Sequence, residues 1–136
     1  MNRHKNYNAR VAKGSADLLF IGDSITQAWE SVGRRVWIKH YGKRNAVNLG
    51  VSGDRTEHVL WRLDNGNIKG ISPKVAVIMI GTNNTGRNPD TPSQIVDGVT
   101  AIVAKLRKKL PGMKILLLGI FPRGQAFNPQ RGIINQ

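Results

Sequence analysis

No cysteine occurs in the 136 residues, so disulfides, thiolate chemistry and cysteine-based metal sites are all excluded. Aromatic residues are scarce at 6%. No apolar run approaches the ~20 residues that a membrane-spanning helix needs. Residues 1–16 are polar and basic and carry no apolar stretch of signal-peptide type, so no secretory signal is expected and a cytoplasmic location is. Acidic residues are few as well: 8 against 21 Lys and Arg, a formal net charge of +13. A basic surface attracts polyanions whatever the fold. Yet no zinc-finger spacing, aromatic-rich RNA-binding signature or continuous basic helix accompanies the charge, so nucleic acid is not expected as the main partner.

What is present is one domain's worth of chain with ample aliphatic residues for a core. Residues 1–16 show no periodicity and read as an arm, or a short helix packed outside that core; residues 17–136 read as the domain. Leu18-Leu19-Phe20-Ile21-Gly22 is an apolar strand that ends in glycine. Residues 25–32 read as a short helix with Ile25, Ala28, Trp29 and Val32 on one face. Residues 36–41 are ambiguous, although Trp37 and Tyr41 are spaced to share a helical face. Ala46-Val47-Asn48-Leu49-Gly50 is a second strand, and a polar loop follows it. Asp54 with Glu57 has the pattern of a capping box, opening a helix to about Leu63. Residues 74–80 form a third, almost wholly apolar strand, as expected when both sheet faces are covered. Thr91, Pro92 and Gln94 signal another helix start. From there Ile95, Val99, Ile102, Leu106 and Leu110 trace an inward stripe. Residues 114–120 form the fourth strand, and residues 131–136 open a further helix. Strands alternating with helices imply a parallel, doubly wound α/β sheet whose ligands bind outside the carboxyl ends of the strands.

The first three strands each end in a small polar loop, and in such a sheet all three loops open on one edge. Ser24 follows the first strand, Gly53 the second and Asn83 the third. A hydroxyl, a main-chain N–H free to approach a ligand closely and a side-chain amide make a nucleophile with oxyanion donors. Taken singly, Asp23 and Ser24 are equally good helix caps.

Together, Gly22-Asp23-Ser24-Ile25, Asn48-Leu49-Gly50-Val51-Ser52-Gly53-Asp54 and Gly81-Thr82-Asn83-Asn84 resemble three sequence blocks of the SGNH (GDSL-type) hydrolases. The nearer likeness is to the catalytic subunits of platelet-activating-factor acetylhydrolase Ib and their bacterial relatives. Gly53-Asp54-Arg55-Thr56, the helix around Trp61, and Phe121-Pro122-Arg123-Gly124 extend the match. The resemblance implies a flavodoxin-like three-layer α/β/α sandwich. It implies an ester hydrolase for small acyl groups such as acetyl, working through an acyl-enzyme on Ser24. The N–H groups of Ser24 and Gly53 and the amide of Asn83 would form the oxyanion hole. No metal or organic cofactor is implied; the partner is a small ester.

The same family completes its site with an Asp-x-x-His motif beyond the fourth strand, and this sequence ends at Gln136 before one. The expectation is a C-terminally truncated domain, weak or inactive alone, whose fourth strand is an edge that invites association of copies. A non-catalytic assembly module and a basic polyanion-binding protein are the alternatives. Asp23, Asp54 and Arg123 border the expected acyl site as candidate substrate contacts, although Asp23 and Asp54 read equally as helix caps and Arg123 as a surface residue. Asn84 is expected to brace its loop. Trp29, Trp37 and Trp61 are expected in packing, His4 in solvent, and His40 and His58 in surface or packing roles.

Overall fold

The computed structural model describes residues 2–136; Met1 lies outside the described residues. The elements are α1 (Asn2–Val11), β1 (Leu18–Gly22), α2 (Ser24–Gln27) with a 3-10 turn (Ala28–Glu30), α3 (Arg34–Tyr41), β2 (Ala46–Gly50), α4 (Thr56–Asp64), β3 (Val75–Met79), a 3-10 turn (Thr82–Thr85), α5 (Pro92–Lys109), β4 (Lys114–Leu117) and α6 (Pro129–Ile134). The four strands form one parallel sheet in the order β2-β1-β3-β4. β1 therefore lies centrally, and the chain winds outward from it first to one side and then to the other. Gly22 is in register with Gly50 on β2 and with Met79 on β3, so the turns after these strands emerge at the same height.

Strand alternation divides the sheet into two faces. Leu19, Ile21, Val47, Leu49, Ala76 and Ile78 point to one face, where Val59 and Leu63 of α4 and Ile102 and Leu106 of α5 close over them. Burying each of the Leu, Ile and Val side chains contributes about 1.5–3 kcal/mol. The opposite face carries Phe20, which packs edge-on against Trp37 and Tyr41 with ring centroids 4.9 and 5.0 Å apart. The spacing of Trp37 and Tyr41 is thus a helical one, and α3 is the helix that seats them. Over β3 and β4 this face stays open. A groove of about 640 Å³ runs there past Phe20, Val77, Met79, Leu116 and Phe121.

Several expectations need correction. The N-terminal segment does not stay outside the core: α1 places Tyr7 and Val11, one helical turn apart, in the main cluster. Residues 25–32 do not form one helix. The α-helix tightens into the 3-10 turn at Ala28, and Val32 is 91% exposed rather than inward. β3 and β4 are each shorter than their apolar runs, although Leu118 N–H still donates to Ile78 O at 2.9 Å just past the end of β4. Asp54 does not cap α4. Arg55 occupies the N-cap, and its N–H donates to His58 Nδ1 at 3.0 Å. Thr91 and Gln94, by contrast, cap α5 reciprocally: Thr91 N–H donates to Gln94 Oε1 at 2.8 Å, and Gln94 N–H donates to Thr91 Oγ1 at 3.3 Å.

Candidate active site

Ser24 opens α2 two residues beyond β1 and is exposed. Asp23 before it is 1% exposed and accepts the N–H of Ile25 at 2.9 Å, so it is the helix cap. With that carboxylate turned inward, the Ser24 hydroxyl faces outward and has no hydrogen-bond partner among the described residues. Burial, the largest influence, pushes the Asp23 carboxyl above the ordinary carboxylate range. The N–H of Ile25 and the charge of Arg123 oppose this, and the charge of Asp54 adds to it.

The second turn is drawn onto the first by two contacts. Val51 N–H donates to Gly22 O at 3.1 Å, and Ser52 N–H donates to Gln27 Oε1 at 2.8 Å. Gly53 then takes φ +82, a conformation that L side chains resist, yet no neighbour lies within 4 Å of the place a Cβ would take. The glycine is thus required by backbone conformation and not by space. Its N–H has no acceptor among the described residues.

The third turn is tied to the second by Asn83, whose Nδ2 donates to Asp54 O at 2.8 Å. A carboxamide has two N–H bonds, so this contact orients the group and leaves one hydrogen for a ligand. Asn84 braces the turn from below, as expected. Its Oδ1 accepts Thr56 N–H at 3.1 Å, and its Nδ2 reaches Thr56 Oγ1 at 3.1 Å and Asp90 Oδ2 at 2.7 Å. Arg123 closes over the same turn, donating to Thr82 O at 3.0 Å.

The Asp54 carboxylate is directed elsewhere. It accepts a hydrogen bond from Arg62 Nε at 2.8 Å and forms an ion pair with the same guanidinium, whose Nη2 lies 2.7 Å away without a hydrogen bond of its own, while Asn67 Oδ1 accepts Arg62 Nη1 at 2.7 Å. Burial raises the Asp54 carboxyl above the ordinary range, and the Arg62 guanidinium opposes that rise. Asp54 is therefore an anchor for its turn. The structure brings Ser24, Gly53, Asn83 and Arg123 to one rim and places the side chains of both Asp23 and Asp54 beneath it, so neither carboxylate is a substrate contact.

None of the three histidines lies on α2 or in these turns. His4 is part-buried, not solvated: Asn8 and Asn67 lie 3.1 and 3.2 Å from its ring nitrogens, and Trp61 packs on it at 5.0 Å. Trp61 itself is 56% exposed, so its packing is one-sided. His40 is exposed on α3. His58 borders a shallow hollow with Ser52, Gly53 and Asp54. Because its Nδ1 accepts the Arg55 N–H, the neutral ring carries its proton on Nε2, and that nitrogen can only donate.

Sequence reasoning misses Gln27, Arg62 with Asn67, and the α1 pair Arg3 and Tyr7. Arg3 Nε and Tyr7 OH donate to Gly50 O at 3.1 and 2.5 Å. The four-residue spacing of Arg3 and Tyr7 is the signal that could have found them. Nothing local marks Gln27 or Asn67.

Residues 20–136 match the GDSL-like lipase/acylhydrolase family. The chain belongs to this family. It is 37% identical over 131 residues to platelet-activating factor acetylhydrolase IB subunit alpha2 of Rattus norvegicus, covering 96% of this chain and 55% of the relative. The human alpha1 subunit of the same enzyme is also 37% identical, with 96% of this chain and 54% of that one covered. The chain thus spans about half the length of these curated relatives. Among solved structures, a GDSL-like lipase of Bacteroides thetaiotaomicron superposes with TM-score 0.68 at 23% identity, over 98% of this chain and 64% of the other. A member of the lipolytic G-D-S-L family from Veillonella parvula superposes with TM-score 0.72 at 14% identity, over 89% and 67%. These likenesses concern the fold, a parallel α/β sheet with helices packed on it. No helix among the described residues is long and apolar enough to cross a membrane.

Proposed function

We propose that this GDSL-family chain is built to hydrolyse carboxylic esters of short acyl groups, acetyl foremost, through an acyl-enzyme on Ser24. The observation that carries the reading is the convergence of three strand-end turns on one rim, with Asn83 fastened to the Gly53-Asp54 turn at 2.8 Å. Ser24 Oγ attacks the acyl carbon, the carbonyl π electrons move onto oxygen, and the serine proton passes through solvent to the departing alkoxide oxygen. The N–H groups of Ser24 and Gly53 and the spare Asn83 hydrogen receive that oxyanion. Collapse expels the alcohol and leaves the acyl group on Ser24, and water then releases the acid. The acetylhydrolase relatives support the short acyl group. Asp23 and Arg123 set the rim, Asp23 as the cap that turns Ser24 outward.

Catalysis by this chain alone is proposed to be slow. His58 Nδ1 is taken up by the Arg55 N–H, and His4 is engaged with Asn8 and Asn67. A serine hydrolase deprived of its base retains about 10³–10⁴-fold acceleration over water from the oxyanion hole and binding. We also propose that the open edge at β4, where Leu116 and Leu117 are 53% and 48% exposed, pairs copies of the chain. Size-exclusion chromatography checks this, since Leu117→Lys should return any dimer to monomer.

The enzymatic reading is tested by p-nitrophenyl acetate hydrolysis and by labelling with a fluorophosphonate. Slow turnover and labelling that both disappear in Ser24→Ala support it. A variant that hydrolyses and labels as well as the parent chain refutes it.

A further inference from the structure

The net charge of +13 is left unexplained by an ester-cleaving rim. It is not spread evenly. No acidic residue occurs between Glu30 and Asp54, while residues 32–44 hold Arg34, Arg35, Lys39, Lys43 and Arg44. All five are exposed, and none is in an ion pair among the described residues. By contrast Lys105 and Lys109 both hold Asp64, and Arg55 holds Glu57 and Asp90.

The same segment exposes aliphatic side chains. Val32 is 91% exposed, Val36 48% and Ile38 58%. Isolated exposed aliphatics are ordinary on a soluble surface. Three within seven residues, interleaved with cations on one helix and the turn before it, are not scattered. Trp37 and Tyr41 fix the helix orientation by seating it on Phe20 at 4.9 and 5.0 Å. With those two inward, the helical period turns Arg35, Val36 and Lys39 outward together.

We infer that residues 32–44 form a docking surface for an anionic lipid bilayer. The cations meet lipid phosphates and carboxylates, and Val32 and Val36 enter the boundary between headgroups and acyl chains, with Ile38 on the flank of the helix. Nucleic acid would satisfy the cations but gains nothing from the aliphatic side chains. The aromatic rings that could stack on bases, Trp37 and Tyr41, face Phe20 instead. This surface lies on α3 and the turns that flank it, and stands independently of the enzymatic reading.

The full chain is sedimented with phosphatidylcholine vesicles with and without phosphatidylserine, at low and high salt. Binding is expected only with phosphatidylserine, and it should fall as salt rises. Arg35→Gln/Lys39→Gln/Lys43→Gln should weaken it on the order of a hundredfold, at roughly fivefold per cation. Val32→Ser/Val36→Ser/Ile38→Ser should also weaken it, with circular dichroism unchanged, and Ser24→Ala should bind like the parent. Because the chain has no cysteine, Val36→Cys accepts a single environment-sensitive dye. Its emission should shift to the blue on anionic vesicles, while the same dye on Arg107→Cys of α5 should not shift. Equal binding to pure phosphatidylcholine overturns the inference. So does anionic binding that ignores the three aliphatic substitutions and is displaced by duplex DNA, which marks a polyanion site. Binding lost in Leu116→Asp but kept in both α3 variants overturns it too, by assigning the contact to the open groove.

Discussion

Asn83 donates its side-chain amide to the main-chain oxygen of Asp54 at 2.8 Å, so the turn after β3 is fastened to the turn after β2. One bond both orients the carboxamide and fixes the height of the glycine next to Asp54. Asn83→Ala should therefore lower the rate of fluorophosphonate labelling at Ser24 by about a hundredfold or more. Asn83→Asp should be as poor, since a carboxylate has no hydrogen to give. For ester hydrolysis the loss should fall on kcat with KM little changed, the sign of a contact made in the transition state. Labelling at the parent rate in both variants would remove Asn83 from the site.

Beneath that turn, Arg62 reaches the buried Asp54 carboxylate at 2.7 and 2.8 Å. Arg62→Ala should cost about 3–5 kcal/mol in urea unfolding, because it strands a buried charge. Replacing both partners by apolar residues, Asp54→Leu/Arg62→Met, should cost less than the single change, since no unpaired charge remains. A double variant less stable than Arg62→Ala would mean that the pair itself, and not the stranded charge, sets the effect.

Tyr7 fastens α1 to the end of β2 through Gly50 O at 2.5 Å. Burial, with the Glu30 charge adding to it, pushes the Tyr7 phenol up to about 12 from an ordinary 10.0. Because the folded value is the higher one, its contribution is fully present below the ordinary value and declines as pH rises through that window. Tyr7→Phe should cost about 0.5–1.5 kcal/mol near neutrality and should flatten the alkaline limb of the stability curve. An unchanged alkaline limb would place the phenol in water.

Asp90 works in the opposite sense. The Asn84 amide, first, and the Arg55 guanidinium hold its carboxyl below the usual range. The unfolded chain therefore binds the proton more readily, and this part of the stability is lost as pH falls below about 3.9. Urea midpoints measured down an acid series should fall less steeply in Asp90→Asn than in the parent. The same slope in both would show that other carboxylates govern the acid limb.

The legible parts of this molecule are those written in local pattern. β1 and β2 end where their apolar runs meet glycine, and of the α5 stripe Ile95, Ile102 and Leu106 are buried while Val99 and Leu110 pack partly buried against the core. Three short polar turns at strand ends are enough to locate the rim. What stays hidden depends on partners distant in sequence. Asp54 resembles a cap because Glu57 stands three residues on, whereas the buried guanidinium of Arg62 competes for its carboxylate and wins. α1 reads as an arm or a helix packed outside the core because its mean composition is polar, although Tyr7 and Val11 alone are enough to bury one side of it. Val32 reads as inward only if a single helix runs through a segment that in fact tightens into a 3-10 turn.

Gly98 shows how such a long-range contact sets the sign of a substitution. It lies inside α5, where alanine is the better helix former by about 0.8–1.0 kcal/mol. Taken alone, that propensity predicts a stabilised protein. But α4 crosses here, and a Cβ on Gly98 would meet the Thr56 side chain, with Thr56 Cβ only 2.7 Å away. Thr56 cannot swing aside freely, because its N–H and Oγ1 are both held by Asn84 at 3.1 Å. Overpacking of this kind costs about 1–3 kcal/mol, occasionally more, so the clash outweighs the propensity gain. Gly98→Ala should therefore lower the urea midpoint. It should also slow Ser24 labelling, since pushing Thr56 disturbs Asn84 and with it the neighbouring Asn83 turn. A raised midpoint would show that α4 and α5 pack more loosely than these distances require.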